Sequence, residues 1–303
     1  QILNKYAYAE SIDAGGKEVY PGFIDAHGHL MSYAELLLGI DLVGCVSQVE
    51  MVQRVQDYKT KSNKTVLVGM GWDQSLWAEN AFPDNALLNE SFPETPVCLY
   101  RIDGHSALLN DAFIQLLGVF EVPKGGAVIK NDSGVYTGLF VDAALQLLES
   151  FIPKFSNAEM KSKLLEVQEE LLTYGVTGVH EAGVDANQRD LLIEMVDDKS
   201  LSLNVYAMLS PSELNKEFAI KNGVYRNQNL SIQSFKAYVD GALGSRGALL
   251  KEPYHDHPNY KGLSLSSLQE LESLRDFCLS AGYQLNCHGI GDAAVSRILK
   301  MCK

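Results

Sequence analysis

The sequence predicts an α/β chain organised around parallel strands, and three observations predict it. Short runs of β-branched and aromatic residues recur, longer stretches of helical periodicity lie between them, and one Gly-, Pro- and Asn-rich excursion interrupts the rhythm. At 303 residues the chain suffices for one large α/β domain or two medium ones. Hydrophobic residues at 46% and charged residues at 21% are the proportions of a soluble globular protein. A formal charge of −13 argues against nucleic acid or an anionic membrane as partner, since both would be repelled.

Taken in order, "QILNKYAYAESIDAGG" reads as a strand piece and a turn at Gly15-Gly16, so residues 1–18 are expected to be the remnant of an N-terminal β region. Strands are predicted at 19–26, 65–70, 96–102, 176–181, 202–209, 232–239 and 283–288. Helix 48–61 places Val49, Val52, Val55 and Tyr58 on one stripe. Helix 157–175 starts at Asn157 as its N-cap and stops at Gly175, and helix 264–282 stops at Gly282. Loops such as "AFPDNALLNESFPETP" mark an insertion at about 65–156, the kind of excursion that carries function on a rigid scaffold. The chain opens without Met and closes on the helix pattern "DAAVSRILKMCK", so both ends read as cut from something longer.

Five scattered cysteines without a Cys-x-x-Cys pair predict free thiols in a reducing compartment. No apolar run reaches the ~20 residues of a membrane span. A cytoplasmic protein is the expectation.

Three strand ends carry the chemistry. "VYPGFIDAHGHL" ends an apolar run with His27 and His29, which a continuous strand would turn to one face, roughly 6–7 Å apart along its length. "IQSFKAYVDG" puts Lys236, Tyr238 and Asp240 on one strand face. A lysine there needs an acid such as Asp25, Glu181 or Asp240, or a lowered pKa that lets it react with carbon dioxide to an anionic, metal-bridging carbamate. "YQLNCHGIGD" ends a strand on His288. A second His-x-His pair, His255 and His257, follows no strand and is expected in solvent.

Together "PGFIDAHGHL", "GMGWDQSLW", "LYRIDGHSALLN", "GVTGVHEAG", "FKAYVDGALGSRGALLKEPY" and "CHGIGDAA" resemble the amidohydrolase superfamily, specifically amidohydrolase family 3, which includes N-substituted formamide deformylases. The resemblance covers nearly the whole chain. It implies a metal-dependent TIM-barrel (β/α)8 fold, here incomplete, with about strands one to five and the inserted subdomain within residues 19–303. It implies hydrolysis of a C–N, amide-like bond of a small molecule by metal-activated water, the metal being zinc or a similar divalent ion. His27, His29, Lys236 (often carboxylated) and His288 match the family's metal ligands. The sixth-strand histidine and the strand-eight aspartate that shuttles protons have no counterpart, so no catalytic residue is assigned and weak activity is expected. Trp72, Asp73, Arg101, Asp103, His105, His180, Asp240 and Arg246 are expected around substrate or behind the ligands. The alternatives are a local salt bridge for Arg101 and Asp103, and a loop-holding role for Arg246. Exposed barrel edges are expected to favour self-association. The rival function is a non-catalytic binding or regulatory protein of the exoenzyme-regulator type on the same scaffold.

Overall fold

The computed structural model describes residues 12–302. Strand β1 (Phe23–Gly28) leads into helix α1 (Leu30–Leu38), after which the chain leaves the first sheet. The excursion comprises β2 (Ile40–Asp41), α2 (Gln48–Lys61), β3 (Leu67–Trp72), α3 (Ala86–Ser91), β4 (Val97–Arg101), β5 (Ser106–Leu109), α4 (Asp111–Leu117), β6 (Gly126–Lys130) and β7 (Tyr136–Asp142). The chain returns through α5 (Asn157–Thr173), β8 (Val176–Val184), α6 (Ala186–Asp197), β9 (Asn204–Leu209), α7 (Glu213–Asn222), β10 (Tyr225–Asn227) and β11 (Leu230–Tyr238). It ends with α8 (Leu268–Ala281), β12 (Gln284–His288) and α9 (Asp292–Met301).

In the first sheet β1, β8, β9, β11 and β12 are parallel neighbours in that order, with β10 folded back antiparallel on β11. Each parallel step is bridged by a helix, as parallel connections require. The sheet stays open: among the described residues β1 pairs only with β8 and β12 only with β11, so no closed barrel forms. The second sheet runs β2-β3-β4-β5-β7-β6, parallel at first and antiparallel from β4 onward.

Period-two alternation decides what faces where. Phe235, Ala237 and Val239 enter the core beneath the helices, beside Leu164, Leu192 and Leu271. Lys236 and Tyr238 therefore turn to the opposite, inner face. The second core gathers Ile40, Leu42, Met51, Val55, Leu67 and Leu99. That membership starts the excursion at β2, ahead of the 65–156 suggested by loop composition, because Ile40 pairs with Gly69 across the β2–β3 ladder.

Local chemistry explains the helix ends. Ser156, not Asn157, caps α5, because its hydroxyl accepts the Glu159 amide while Glu159 reaches back to the Ser156 amide. Asp185 with Gln188 and Ser267 with Glu270 repeat this device at α6 and α8. Gly282 ends α8 at φ +73°, a left-handed stop that favours glycine. In α2 the buried stripe is Met51, Val52 and Val55, while Val49 is 68% exposed. The first strand begins at Phe23 rather than residue 19, since Pro21 has no amide proton for a ladder. Gly15 and Gly16 form the expected turn, and the strand expected before it lies outside the described residues.

Candidate active site

The ends of β1 and β11 bring three nitrogens together. Lys236 Nζ lies 3.2 Å from His27 Nε2, and the His27 and His29 rings are 5.5 Å apart. His29 is not on the strand as expected. The strand stops at Gly28, and His29 opens α1, directing Nδ1 to the Ala182 carbonyl of β8 at 3.1 Å. Gly28 allows this close approach, because a side chain there would meet Val179. Desolvation, then the charges of their neighbours, holds the pKa of both histidines below the ordinary value.

Lys236 is 3% exposed, and among the described residues no carboxylate lies within ion-pair distance of it. Burial lowers its pKa, favouring the neutral amine. Of the three acids expected to pair with it, Asp25 accepts the His27 amide at 3.1 Å, and the other two are occupied elsewhere. Glu181 accepts the Leu30 and Met31 amides at the start of α1, and burial raises its pKa to about 7. Asp240, fully buried, accepts the Leu249, Ile290 and Gly291 amides at 2.7, 3.0 and 2.8 Å.

Tyr238 links this group to His288. Its ring is 5.5 Å from Lys236 Nζ and 5.6 Å from the His288 ring, and Tyr238 pairs with His288 in the β11–β12 register. His105 stands 5.3 Å from His288, with Nδ1 2.7 Å from Asp142 Oδ1. Burial disfavours the His105 imidazolium, but the Asp142 hydrogen bond and charge outweigh it and raise the pKa. Asp142 went unnoticed in the sequence because "YTGLFVDAA" looks like any strand end. Its φ of +50° and its buried carboxylate emerge only in the fold.

Other expected site residues have different tasks. Trp72 is fully buried and donates Nε1–H to the Leu99 carbonyl, so it belongs to the second core and not to a pocket wall. Arg101 bonds Asp73 at 2.7 Å, Asp103 at 2.6 Å and Gln74 at 2.8 Å, the local salt-bridge alternative. Arg246 pairs with the exposed Asp256 at 2.9 Å. Asp240 holds loops by its three amides. His180 sits mid-strand in β8 and packs on Tyr206, 4.8 Å between centroids, instead of ending the strand. His255 and His257 lie exposed in a loop.

Among the described residues no three His, Cys, Asp or Glu side chains gather as a ready metal cage. Two observations nevertheless fit a divalent ion. His288 Nε2 is buried without a hydrogen-bond partner. Lys236 Nζ and His27 Nε2 lie side by side, with no carboxylate among the described residues within ion-pair distance of the lysine, and imidazole nitrogen suits zinc-like metals.

Comparison with known proteins decides the family. Residues 10–303 match the amidohydrolase family. The chain belongs to that family. This amidohydrolase chain is 29% identical over 96% of its length to the Arabidopsis thaliana protein LONG AFTER FAR-RED 3. It is 28% identical over 99% to the putative amidohydrolase YtcJ of Bacillus subtilis, and 24% identical over 96% to an N-substituted formamide deformylase of Arthrobacter pascens. It spans 52%, 58% and 56% of those relatives' lengths. A solved metal-dependent hydrolase from Pyrococcus horikoshii superposes with a TM-score of 0.72 at 29% identity, over 99% of this amidohydrolase and 59% of that structure. No helix among the described residues is long and apolar enough to cross a membrane.

Proposed function

We propose that the protein is a metal-dependent hydrolase cleaving a C–N, amide-like bond of a small molecule. The observation that carries this reading is a buried lysine amine 3.2 Å from a histidine nitrogen, with no acid to pair with among the described residues. His27, His29, Lys236 and His288 would hold a divalent ion, zinc by the chemistry of the donors. Such an ion, when bound, supplies Lewis acidity toward a carbonyl and makes water a usable nucleophile at neutral pH. Burial lowers the Lys236 pKa, and such an amine, in its neutral form, would add carbon dioxide, releasing a proton and leaving a carbamate whose oxygens can ligate. Glu181 fixes the start of α1 and so the position of His29, while Asp240 fixes the turn after His288. No residue among those described is assigned the proton shuttle.

A second reading, a non-catalytic binding protein, is favoured by the solvent exposure of His27 and His29. Metal analysis of the full-length gene product, with hydrolysis assayed across formamides, other amides and lactams, separates the two. The hydrolase reading expects bound divalent metal and activity that falls at least tenfold on chelation and returns with zinc. Equal activity in metal-free protein, or no hydrolysis of any amide by metal-loaded protein, overturns it.

A further inference from the structure

The excursion does more than cover the first sheet: it delivers a histidine–aspartate pair to the strand ends. His105 immediately precedes β5 and Asp142 ends β7, and the Asp142 amide donates to the His105 carbonyl at 2.8 Å. The Asp142 side chain is wholly buried, its backbone held at positive φ, and its Oδ1 engages His105 Nδ1. Gly241 and Gly247, both in the loop after β11, leave the room this carboxylate occupies, since a Cβ at either would collide with it. A buried residue in so sparsely populated a conformation points to a local task.

Two polar atoms remain without partners here, Asp142 Oδ2 and His288 Nε2. His105 and Asp142 also line, with Lys236, Tyr238 and the α8 residues Leu271, Leu274 and Phe277, an open cavity of about 770 Å³, a size suited to a small molecule, which His27, His29 and His288 do not line. With Nδ1 committed to Asp142, the ring nitrogen left for a ligand is His105 Nε2.

We propose that His105 is a substrate contact supplied by the excursion, anchoring the polar end of a small amide, and that Asp142 is the positioning residue that orients it. The proposal rests on the amide-hydrolase reading for the class of ligand, but its geometry belongs to the second sheet. A carboxylate acting only through the imidazole makes the two residues one unit, and units of this kind are non-additive.

The test is a double-mutant cycle read by binding. Dissociation constants of N-butylformamide, N-butylacetamide and a six-membered lactam are measured by ligand-observed NMR on the full-length protein. The proteins are wild type, His105→Ala, Asp142→Asn and the double variant, with metal content and melting temperature recorded for each. Asparagine matches aspartate in size and shape, so Asp142→Asn adds no backbone strain beyond what Asp142 already bears at this φ. His105→Gln provides a second, more conservative replacement. The expected result is about tenfold weaker binding of the best amide in His105→Ala and in Asp142→Asn, with the double variant no weaker than His105→Ala and metal content unchanged. Wild-type affinity in both histidine variants, losses that add in the double variant, or no amide bound by wild type overturns the proposal. Loss of metal in His105→Ala does so too, because it would make His105 a ligand to the ion. Wild type that binds amides through His105 yet neither holds metal nor hydrolyses them sinks the hydrolase reading and leaves this anchor standing.

Discussion

Asp240 illustrates how a residue can matter to a site without facing it. One buried carboxylate holds the loop after β11 and the turn after β12 through three backbone amides. Asp240→Ala leaves those donors unsatisfied and is expected to cost roughly 3 kcal/mol or more, measured by urea unfolding. Glu181 gives a pH dependence. Burial raises its pKa from 4.5 to about 7. The unfolded chain therefore gives up this proton first, and the group's contribution to stability is complete below pH 4.5 and lost as pH rises through about 7. The loss is of the order of 3 kcal/mol. Denaturation midpoints from pH 5 to 8 should fall in wild type relative to Glu181→Gln; parallel curves would refute the assignment. At this scale residue type was legible and partner was not. "RIDGH" shows that Arg101 and Asp103 are close in sequence, but the Asp73 contact comes from another strand's end. Trp72 in "GWDQ" was expected around substrate, and the fold instead buries it in the second core.

The elements follow their local sequence closely, because caps and stops act within a few residues. Ser267 and Glu270 exchange hydrogen bonds at the start of α8. Ser267→Ala should cost about 1 kcal/mol, checked by thermal unfolding, with α8 otherwise intact by hydrogen exchange. Gly291 is a different case. A Cβ there would strike the Leu249 carbonyl, backbone that cannot swing aside, so Gly291→Ala should destabilise well beyond a helix-propensity effect and disturb the His288 turn. The stripe on α2 was legible to within one position: Val52 and Val55 are buried as their spacing predicts, whereas Val49 faces water because Met51 takes its place against β2 and β3. Strands β5, β6 and β7 escaped the sequence reading, since short antiparallel strands between Gly- and Pro-rich loops have little periodicity of their own.

On the scale of the molecule, an open parallel sheet leaves unpaired strand edges. Beside β1, Val19, Tyr20, Phe23 and Ile24 are 83%, 65%, 58% and 62% exposed. Such an edge is a template for pairing. This chain in isolation is expected to show concentration-dependent association by sedimentation velocity, reduced by Ile24→Lys; a monomer at all concentrations would contradict this. The order β1-β8-β9-β11-β12 agrees with the insertion after the first strand that the family resemblance implies; strand–helix alternation alone would have set 65–70 beside 19–26. By its own sequence the protein determined its parallel architecture, the glycine stop of α8 at Gly282 and the end of β12 at His288, all consequences of spacing within one segment. Tertiary structure alone decided that Lys236 meets no acid among the described residues, that Trp72 belongs to a core, and that Asp142 stands behind His105. Those outcomes depend on which surfaces bury against each other, and no local pattern encodes the partner a side chain meets once the sheets have packed.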